Sequence, residues 1–398
     1  MNKPCLQGIR VLDFTRVLSG PFCTALLADL GAEVIKIESP QGDDYRHIPP
    51  FSNGTGGLFL LLNRGKKSVS IDLKTDRGKD ILRALAGKSD IIVENFRPGV
   101  MDRMGLGYEE MSRENPRLIQ ASISGFGQKS RNGHLPAYDL VIQALTGFMD
   151  VTGDPDGAPM MTGESVADLT AGLFASWSIL AALLSREQTG RGQMVDVAMF
   201  DCLFSFLPAA LTQHLYGSAP PTRVGNRHPL GAPFGVFAAS DGHYTIAVLN
   251  PAQFRKLAKA MGQAGLADDI RFASNAARME NHATLKDLIE DWSRSRIVSE
   301  TIAILQKHDV PCSPIVSVPE AASGSQAEDR GLLRRIKRPD GDCITTLSQP
   351  VKFSTMEIPD TTAPPELGGD NQKVLSDLLQ MSKAEMEDLY SAGVLHGQ

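Results

Sequence analysis

Apolar and polar positions follow two alternating periods along the first half of the chain. Short apolar runs predict strands at Gly8–Phe14, Glu33–Glu38, Ser68–Leu73, Asp90–Glu94 and Arg117–Ser124. Helical patterns separate them, as at Pro21–Leu30 and Asp76–Ala86. Because strands that alternate with single helices usually pair in parallel, the pattern predicts an α/β fold with helices on both faces of a parallel sheet.

The second half of the chain has a different pattern. Two predicted helices, Tyr138–Met149 and Val166–Arg186, lead to a stretch rich in turn residues at Ala219–Asn226. Gly235–Val248 then contains two strand-like runs around Ser240–His243, which predicts a hairpin. A new and smaller unit therefore begins near residue 220, and the chain closes with predicted helices.

Composition and charge narrow the classes of function. The 398 residues are 42% hydrophobic and 22% charged, which is typical of a globular protein. Forty basic and 46 acidic residues give a net charge of −6 without a block of like charges, so nucleic-acid or membrane binding is not expected. The most apolar stretches, Leu173–Leu184 and Val197–Leu211, are interrupted by polar residues and predict buried helices.

The cysteines and histidines argue against disulfides and metals. The five cysteines are scattered and form no C-x-x-C, and the eight histidines show no metal-ligand spacing. We therefore expect neither a disulfide framework nor a metal site, and a location in the reducing cytoplasm.

The turn after the first predicted strand tests a nucleotide-binding hypothesis. A nicotinamide-binding turn needs three glycines, and here only Gly20 is present. Glu38 ends the second strand, where a ribose-binding acid would lie, but the missing glycines disfavour that cofactor.

Two later segments carry polar groups that suit chemistry. Val93–Gly105 offers an asparagine, two arginines and a turn into a helix, which suits a phosphate-bearing ligand as well as an ordinary solvated loop. Asp168 lies near the start of an apolar helix, where the local pattern favours an N-cap. The alternative is a nucleophile, since a carboxylate that attacks a carbonyl forms an acyl anhydride suited to acyl and CoA exchange.

Ordered motifs extend over nearly the whole chain. They are Gly8–Phe14 with Gly20–Pro21, Leu30–Glu38, Asn63–Ser68, Glu94–Gly105, Ser124–Gly127, Tyr138–Asp139, Gly163–Gly172, Thr189–Val197 and Leu367–Asn371. Together they resemble the class III CoA-transferases, the family of formyl-CoA transferase, carnitine CoA-transferase and α-methylacyl-CoA racemase.

The resemblance implies a fold and an assembly. A large Rossmann-like domain with a parallel sheet would comprise residues 1–200, completed by about 330–398. A linker at 201–224 would lead to a smaller α+β domain at 225–325. Two such chains would interlock as a ring-like homodimer.

The resemblance also implies the site residues. Asp168 stands at the position of the family's catalytic aspartate, which implies that it is the nucleophile. CoA would be a substrate, with no permanently bound cofactor. The residues implied to contact CoA are Leu18, Ser19, Ile71, Asp72, Lys74, Asn95, Phe96, Arg97, Arg103, Ala137 and Tyr138.

The implied reaction is CoA exchange through an aspartyl anhydride and an aspartyl-CoA thioester. The alternative is the racemase branch of the family, whose members carry histidine where this chain has Tyr138. Tyrosine is a poor base at neutral pH because its ordinary pKa is ~10, which favours the transferase.

The acyl groups are the least constrained part of the prediction. Arg46, Arg227 and His228 are candidates to bind a distal carboxylate, because the arginine fork fits a carboxylate well. A surface salt-bridge role for them is equally open. The hypothesis that follows is a dicarboxylate exchange, such as succinyl-CoA with a C4–C6 diacid.

Overall fold

The computed structural model describes residues 3–338 and 341–397, and the chain divides into two compact units. The large unit comprises residues 1–146, 163–206 and 325–398, and the small unit comprises 147–162 and 207–324. Residues 147–162, which the sequence placed in the large domain, therefore belong to the small unit. The predicted domain ends at residues 1 and 398 lie outside the described residues.

The strands are numbered in chain order. They are β1 Arg10–Asp13, β2 Glu33–Glu38, β3 Phe51–Ser52, β4 Thr55–Gly56, β5 Lys66–Ile71, β6 Ile91–Glu94, β7 Ile119–Ser124, β8 Met194–Ala198, β9 Phe234–Ala238, β10 His243–Ala247, β11 Cys312–Pro314, β12 Leu333–Lys337, β13 Cys343–Leu347 and β14 Leu395–His396.

The α-helices are numbered in the same way. They are α1 Ser19–Asp29, α2 Gly57–Leu62, α3 Asp76–Gly87, α4 Val100–Arg103, α5 Tyr108–Glu114, α6 Asp139–Leu145, α7 Val166–Thr189, α8 Met199–Phe204, α9 Pro208–Tyr216, α10 Pro251–Ala260, α11 Asn275–Glu280, α12 His282–Ser293, α13 Val298–Lys307, α14 Val318–Ser323, α15 Ser325–Asp329, α16 Asn371–Leu379 and α17 Lys383–Ser391. Helices α8 and α9 occupy much of the stretch predicted as a linker.

A seven-stranded sheet organises the large unit. Its order is β14-β5-β2-β1-β6-β7-β8, and β14 is the one antiparallel strand in it within the described chain. The prediction of an α/β fold is confirmed, and the predicted parallel sheet is parallel except at β14. The chain proceeds from β1 to β2 and β5 on one side and then to β6, β7 and β8 on the other. The strand order therefore reverses between β1 and β6, where open α/β sheets leave a crevice at the carboxyl ends of their strands.

Helix α7 packs tightly against α1. A Cβ atom added to Gly172 would lie 2.5 Å from the carbonyl oxygen of Ser19, so only glycine permits this approach of the two backbones. On length and apolar composition α7 could cross a membrane, but half of its most apolar stretch is buried, as in the core helix of a globular protein. The close contact fixes the start of α7 beside the start of α1.

The small unit has its own core. Strands β9 and β10 form the predicted hairpin, and β11 completes a three-stranded antiparallel sheet. Tyr244, Ile246, Phe254, Leu285 and Leu305 are buried together between this sheet and the surrounding helices. Because these contacts lie within the unit, the small unit buries an apolar core of its own.

Candidate active site

Asn95 joins the loops that follow β1 and β6, the two strands at the reversal of the sheet. Its side-chain oxygen accepts the backbone N–H of Arg16 at 3.0 Å, and its amide nitrogen donates to the carbonyl of Arg16 at 2.8 Å and to Ser19 Oγ at 3.4 Å. Both hydrogen-bonding groups of one side chain therefore fix the first loop relative to the second.

The first loop has a strained backbone at Val17. Its φ angle of 69° is a left-handed conformation that a β-branched residue rarely adopts. Asp43 accepts the Val17 N–H at 3.2 Å, and Lys36 Nζ donates to the carbonyl of Thr15 at 2.7 Å. Surrounding contacts thus hold the loop in a shape that its sequence alone disfavours.

Two buried ion pairs lie beneath this loop. Lys36 pairs with Asp43 at 2.8 Å and Lys66 pairs with Asp13 at 3.0 Å, and all four side chains are buried. Burial lowers the pKa of Lys66 to about 8, against the nearby charge of Asp13. Because each charge has an opposite partner, the cost of removing these groups from water is offset. The loop therefore packs on buried side chains that are paired with one another.

Asp168 is the third residue of α7, and the N-cap is Ser165. The hypothesis that Asp168 caps its own helix is therefore wrong. Asp139, at the start of α6, caps the N-terminus of α7 instead. Its Oδ1 accepts the backbone N–H of Ala167 at 2.7 Å and that of Asp168 at 3.4 Å. The other Asp139 oxygen accepts a hydrogen bond from Gln143 at 2.5 Å. The Asp168 carboxyl is left available for other contacts.

The surroundings of Asp168 favour its neutral form. Burial raises the pKa of Asp168 to about 7, and the negative charge of Asp139 adds to the rise. Hydrogen bonds from the Ser19 hydroxyl and backbone act in the opposite direction. Burial, together with the charge of Asp168, raises the pKa of Tyr45 to about 12, so this phenol stays a proton donor at neutral pH. Tyr45 was not predicted as a site residue.

A cavity of about 200 Å³ collects most of the predicted residues. It is lined by Ser19, Asn95, Phe96, Arg97, Ala137, Tyr138 and Asp168. Sequence reasoning missed further lining residues, among them Arg16, Val17, Asp44 and Ser124. The position of Arg16 and Ser124 just after β1 and at the end of β7 was the available signal, because carboxyl ends of parallel strands share one edge.

Other residues implied to contact the ligand lie elsewhere. Leu18 is only 7% exposed and Ile71 is fully buried, so their side chains belong to the core. Asp72 and Lys74 flank Leu73, which lines an adjoining cavity of about 80 Å³. The two cavities share Arg16 and Phe96, so the space at this edge of the sheet is elongated.

Three arginine side chains near this edge have no charged partner among the described residues. Neither a hydrogen bond nor an ion pair engages the guanidinium groups of Arg16, Arg97 and Arg103 in the part of the chain that the structure describes. Arg16 lies over the ring of Phe96, 5.7 Å from its centroid. Unpaired arginines beside a crevice suit phosphate groups. Among the described residues no His, Cys, Asp and Glu cluster could hold a metal ion.

Comparison with known protein families identifies the family of this chain. The model of CoA-transferase family III matches residues 6–371. The chain belongs to this family. It is therefore a CoA-transferase, as the resemblance of its motifs predicted.

Named relatives are similar over most of their length. The chain is 43% identical to acetyl-CoA:oxalate CoA-transferase of Acetobacter aceti, over 83% of this chain and 86% of the relative. It is 36% identical to succinate–glutarate CoA-transferase of Agrobacterium fabrum, over 95% and 96%. A crystal structure of a CaiB/BaiF family protein from Brucella suis superposes with a TM-score of 0.84 at 37% identity, over 95% of this chain and all of that one.

Arg46 of this CoA-transferase forms an ion pair within its own unit, as the salt-bridge alternative for this residue predicted. Its side chain is buried, donates to both carboxylate oxygens of Glu38 at 2.7 and 2.8 Å, and lies over the ring of Phe59. A third hydrogen bond goes to the carbonyl of Pro365. The guanidinium is therefore occupied by its own unit, and Glu38 is equally engaged.

The other two acyl-site candidates lie in the small unit. Arg227 lines a cavity there, and neither a hydrogen bond nor an ion pair engages its guanidinium among the described residues. His228 instead stacks on Phe234 with ring centroids 4.8 Å apart and accepts the Leu230 N–H at 3.1 Å. His228 therefore shapes the loop, whereas Arg227 keeps a free cationic head.

The raised pKa of Asp168 predicts a pH-dependent stability. The folded pKa of about 7 lies above the ordinary value of 3.8, so the stability this group contributes is full below 3.8 and lost as the pH rises through 7. We expect Asp168→Asn to unfold at higher urea concentration than the wild type at pH 8, with the difference shrinking at pH 5. Urea denaturation at both pH values measures it, with exposed Asp156→Asn as the control. A difference of equal size at pH 5 and pH 8 would contradict the assignment.

Proposed function

We propose that the chain moves CoA from an acyl-CoA donor, with succinyl-CoA as the candidate, to a small dicarboxylic acid, with Asp168 as the nucleophile. The observation that carries this proposal is the position of the Asp168 carboxyl in one cavity with Arg16, Asn95 and Arg97, at the reversal of the sheet. A reactive carboxyl and free cations for a phosphate-bearing substrate then lie in the same crevice.

The names of the relatives support the class of acid. Relatives at 36–43% identity act on oxalate, on succinate and glutarate, and, in the case of the Haloarcula hispanica enzyme at 40%, on mesaconate with succinyl-CoA. All of these acids carry two carboxylates. At least one dicarboxylic acid is therefore named for each of these relatives, which supports a dicarboxylate as acceptor.

The first half of the reaction activates Asp168. A carboxylate oxygen of Asp168 attacks the thioester carbonyl of the donor, the carbon–sulfur bond breaks, and CoA leaves as thiolate. The product is a mixed anhydride of Asp168 and the donor acid. The thiolate then attacks the aspartyl carbonyl of this anhydride, which releases the donor acid as carboxylate and leaves an aspartyl-CoA thioester.

The second half is the same sequence in reverse. The acceptor carboxylate attacks the aspartyl thioester, CoA leaves as thiolate, and a new mixed anhydride forms. Attack of the thiolate on the acceptor carbonyl gives acceptor acyl-CoA and frees the Asp168 carboxylate. Every step exchanges one activated acyl bond for another, so the chief demand on the site is the exclusion of water.

The environment of Asp168 suits a carboxylate that first attacks a thioester and is later released from an anhydride. A carboxylate with a pKa of about 7 is more basic than an ordinary aspartate and is still substantially ionised at neutral pH. Ser19 donates hydrogen bonds to this carboxyl. The same donors can stabilise the negative charge that develops on the aspartyl carbonyl oxygen when thiolate or carboxylate attacks it. Tyr45, which remains protonated, adds a proton donor near the same carboxyl.

CoA would bind along the elongated crevice of the large unit. Arg16 and Arg97 line it and have no acidic partner within the described chain, so they are available to the phosphates. Phe96 offers a ring face, and Lys74 lies beyond Leu73 at the far cavity. CoA is a substrate in this scheme, and no permanently bound cofactor takes part.

A second copy of the chain is the proposed partner. The outer faces of α6 and α7 expose Leu145, Leu173, Trp177 and Leu184, of which Trp177 is 63% and Leu184 is 67% exposed. Clustered apolar side chains of this size on neighbouring helices indicate a protein interface. We propose a homodimer, interlocked as the family resemblance implies.

The five cysteines are all unpaired, which agrees with the proposed cytoplasmic location.

A covalent adduct tests the nucleophile. After incubation with a panel of acyl-CoAs and trapping with hydroxylamine or borohydride, mass spectrometry should find the modification in the peptide Met161–Gly172. Asp168→Ala should lose turnover by about 10⁴-fold or more, because it removes the attacking group. Asp156→Ala, at an exposed position, is the control. An adduct on another peptide would refute Asp168, and α-proton exchange without any adduct would favour the racemase.

Steady-state kinetics test the CoA site. Arg97→Gln should raise KM for succinyl-CoA about tenfold with little change in kcat, since a phosphate contact stabilises the ground state and the transition state alike. Arg113→Gln removes an exposed arginine of α5 outside the cavity and should change neither. A fall in kcat at constant KM would contradict a binding role.

Sedimentation velocity tests the assembly. The wild type should sediment as a dimer, and Trp177→Glu combined with Leu184→Glu should shift it to monomer, because charges would be buried without partners. Ile270→Glu, at a small-unit residue that is 87% exposed, should leave the dimer intact. A double variant that remains fully dimeric would exclude this face.

A further inference from the structure

The small unit contains a cavity with a volume of about 510 Å³. Its lining residues are Pro155, several residues between Thr222 and Phe237, Met279 of α11, and His282, Leu285 and Lys286 of α12, so it lies wholly within the small unit. It shares no lining residue with the crevice that holds Asp168. Its size falls in the range of sites that bind small organic molecules, roughly 300–1,000 Å³.

The charge of this cavity is positive. Arg223, Arg227 and Lys286 line it, and no aspartate or glutamate does so within the described chain. Arg223 is paired with Asp150 at 3.3 Å. Lys286 has only a distant partner, Glu290, at 3.6 Å. The guanidinium of Arg227 has neither a hydrogen-bond nor an ion-pair partner among the residues described. An unpaired arginine at a half-buried position is an open site for an anion.

The buried guanidinium of Arg278 also favours an anion in this cavity. Arg278 is completely buried, and its Nε donates to the carbonyl of Ala232, a residue of the cavity wall, at 2.6 Å. Its Nη2 atom has no hydrogen-bond partner, and no acid pairs with this side chain in the described part of the chain. The positive charge behind the wall is therefore uncompensated, and an anion in the cavity would be stabilised by it.

The remaining wall is largely apolar. Phe234, Val236, Phe237, Met279 and Leu285 supply hydrocarbon and ring surface. A fully hydrophilic anion such as phosphate would leave these surfaces wet. A ligand with an apolar body and one anionic end would bury them and satisfy Arg227 at the same time.

We propose that the cavity of the small unit is a binding site for a small organic acid, whose carboxylate binds Arg227 and whose apolar body contacts Phe234, Phe237 and Leu285. The acid could be a substrate of the transfer reaction or a separate compound, because both carry the same carboxylate chemistry. The binding itself does not require Asp168.

Calorimetric titration of the full-length protein with octanoate tests the site. We expect saturable binding of one octanoate per chain, unchanged in Asp168→Ala, so a failure of the proposed reaction would not affect this result. Arg227→Gln should weaken the affinity roughly tenfold or more, as expected for loss of a charged hydrogen bond. 1-Octanol, which lacks the charge, should bind far more weakly.

Two further variants separate the site from general effects. Arg255→Gln removes an exposed arginine of α10 that does not line the cavity, and should bind octanoate like the wild type. Thr222→Trp places a bulky ring at an exposed wall position and should block binding without disturbing the core. Circular dichroism checks that each variant is folded.

The outcomes are separable. Competition of succinate with octanoate would identify the acid as a transfer substrate, and binding of octanoate without such competition would identify a separate acid; both support the site. Equal affinity of the wild type and Arg227→Gln would overturn it, and so would undiminished binding in Thr222→Trp.

Discussion

The reversal of strand order between β1 and β6 is the constraint on which the site depends. Helices that follow β1 and β6 lie on opposite faces of the sheet, so the loops that lead to them diverge and leave a crevice. Asn95 spans this crevice and holds its two loops in register. Arg16, Arg97 and Asp168 all line the crevice that this divergence leaves.

Buried charge supports the crevice from below. The pairs Lys36–Asp43 and Lys66–Asp13 are buried at this edge of the sheet. Asp43 accepts the N–H of Val17, and Lys36 donates to the carbonyl of Thr15. A left-handed valine costs on the order of 1–3 kcal/mol, which only a well-determined surrounding can maintain. Preorganisation of the loop thus comes from groups that never contact a substrate.

The sequence predicted what depends on local pattern. Strand β2 begins and ends where the apolar period predicted, because Gly31 precedes it and Pro40 follows it. It could not predict partners brought together by the fold. Local reasoning favoured Asp168 as a cap because aspartate near a helix start usually is one, whereas Asp139, 29 residues earlier in sequence, occupies that role. Arg46 looked free for a substrate because its partner Glu38 belongs to a neighbouring strand end.

The outer edge of the large sheet is completed by residues that follow the small unit in the chain. Strand β14 pairs with β5, the Asp370 carboxylate accepts the Ser68 N–H, and Asn371 accepts that of Ser70. While the ribosome is still translating the small unit, the free edge of β5 is exposed as a template for pairing with other chains. The newly made chain therefore has to keep this edge protected from other chains until β14 emerges, so the final fold of the large unit is reached after the small unit has been made.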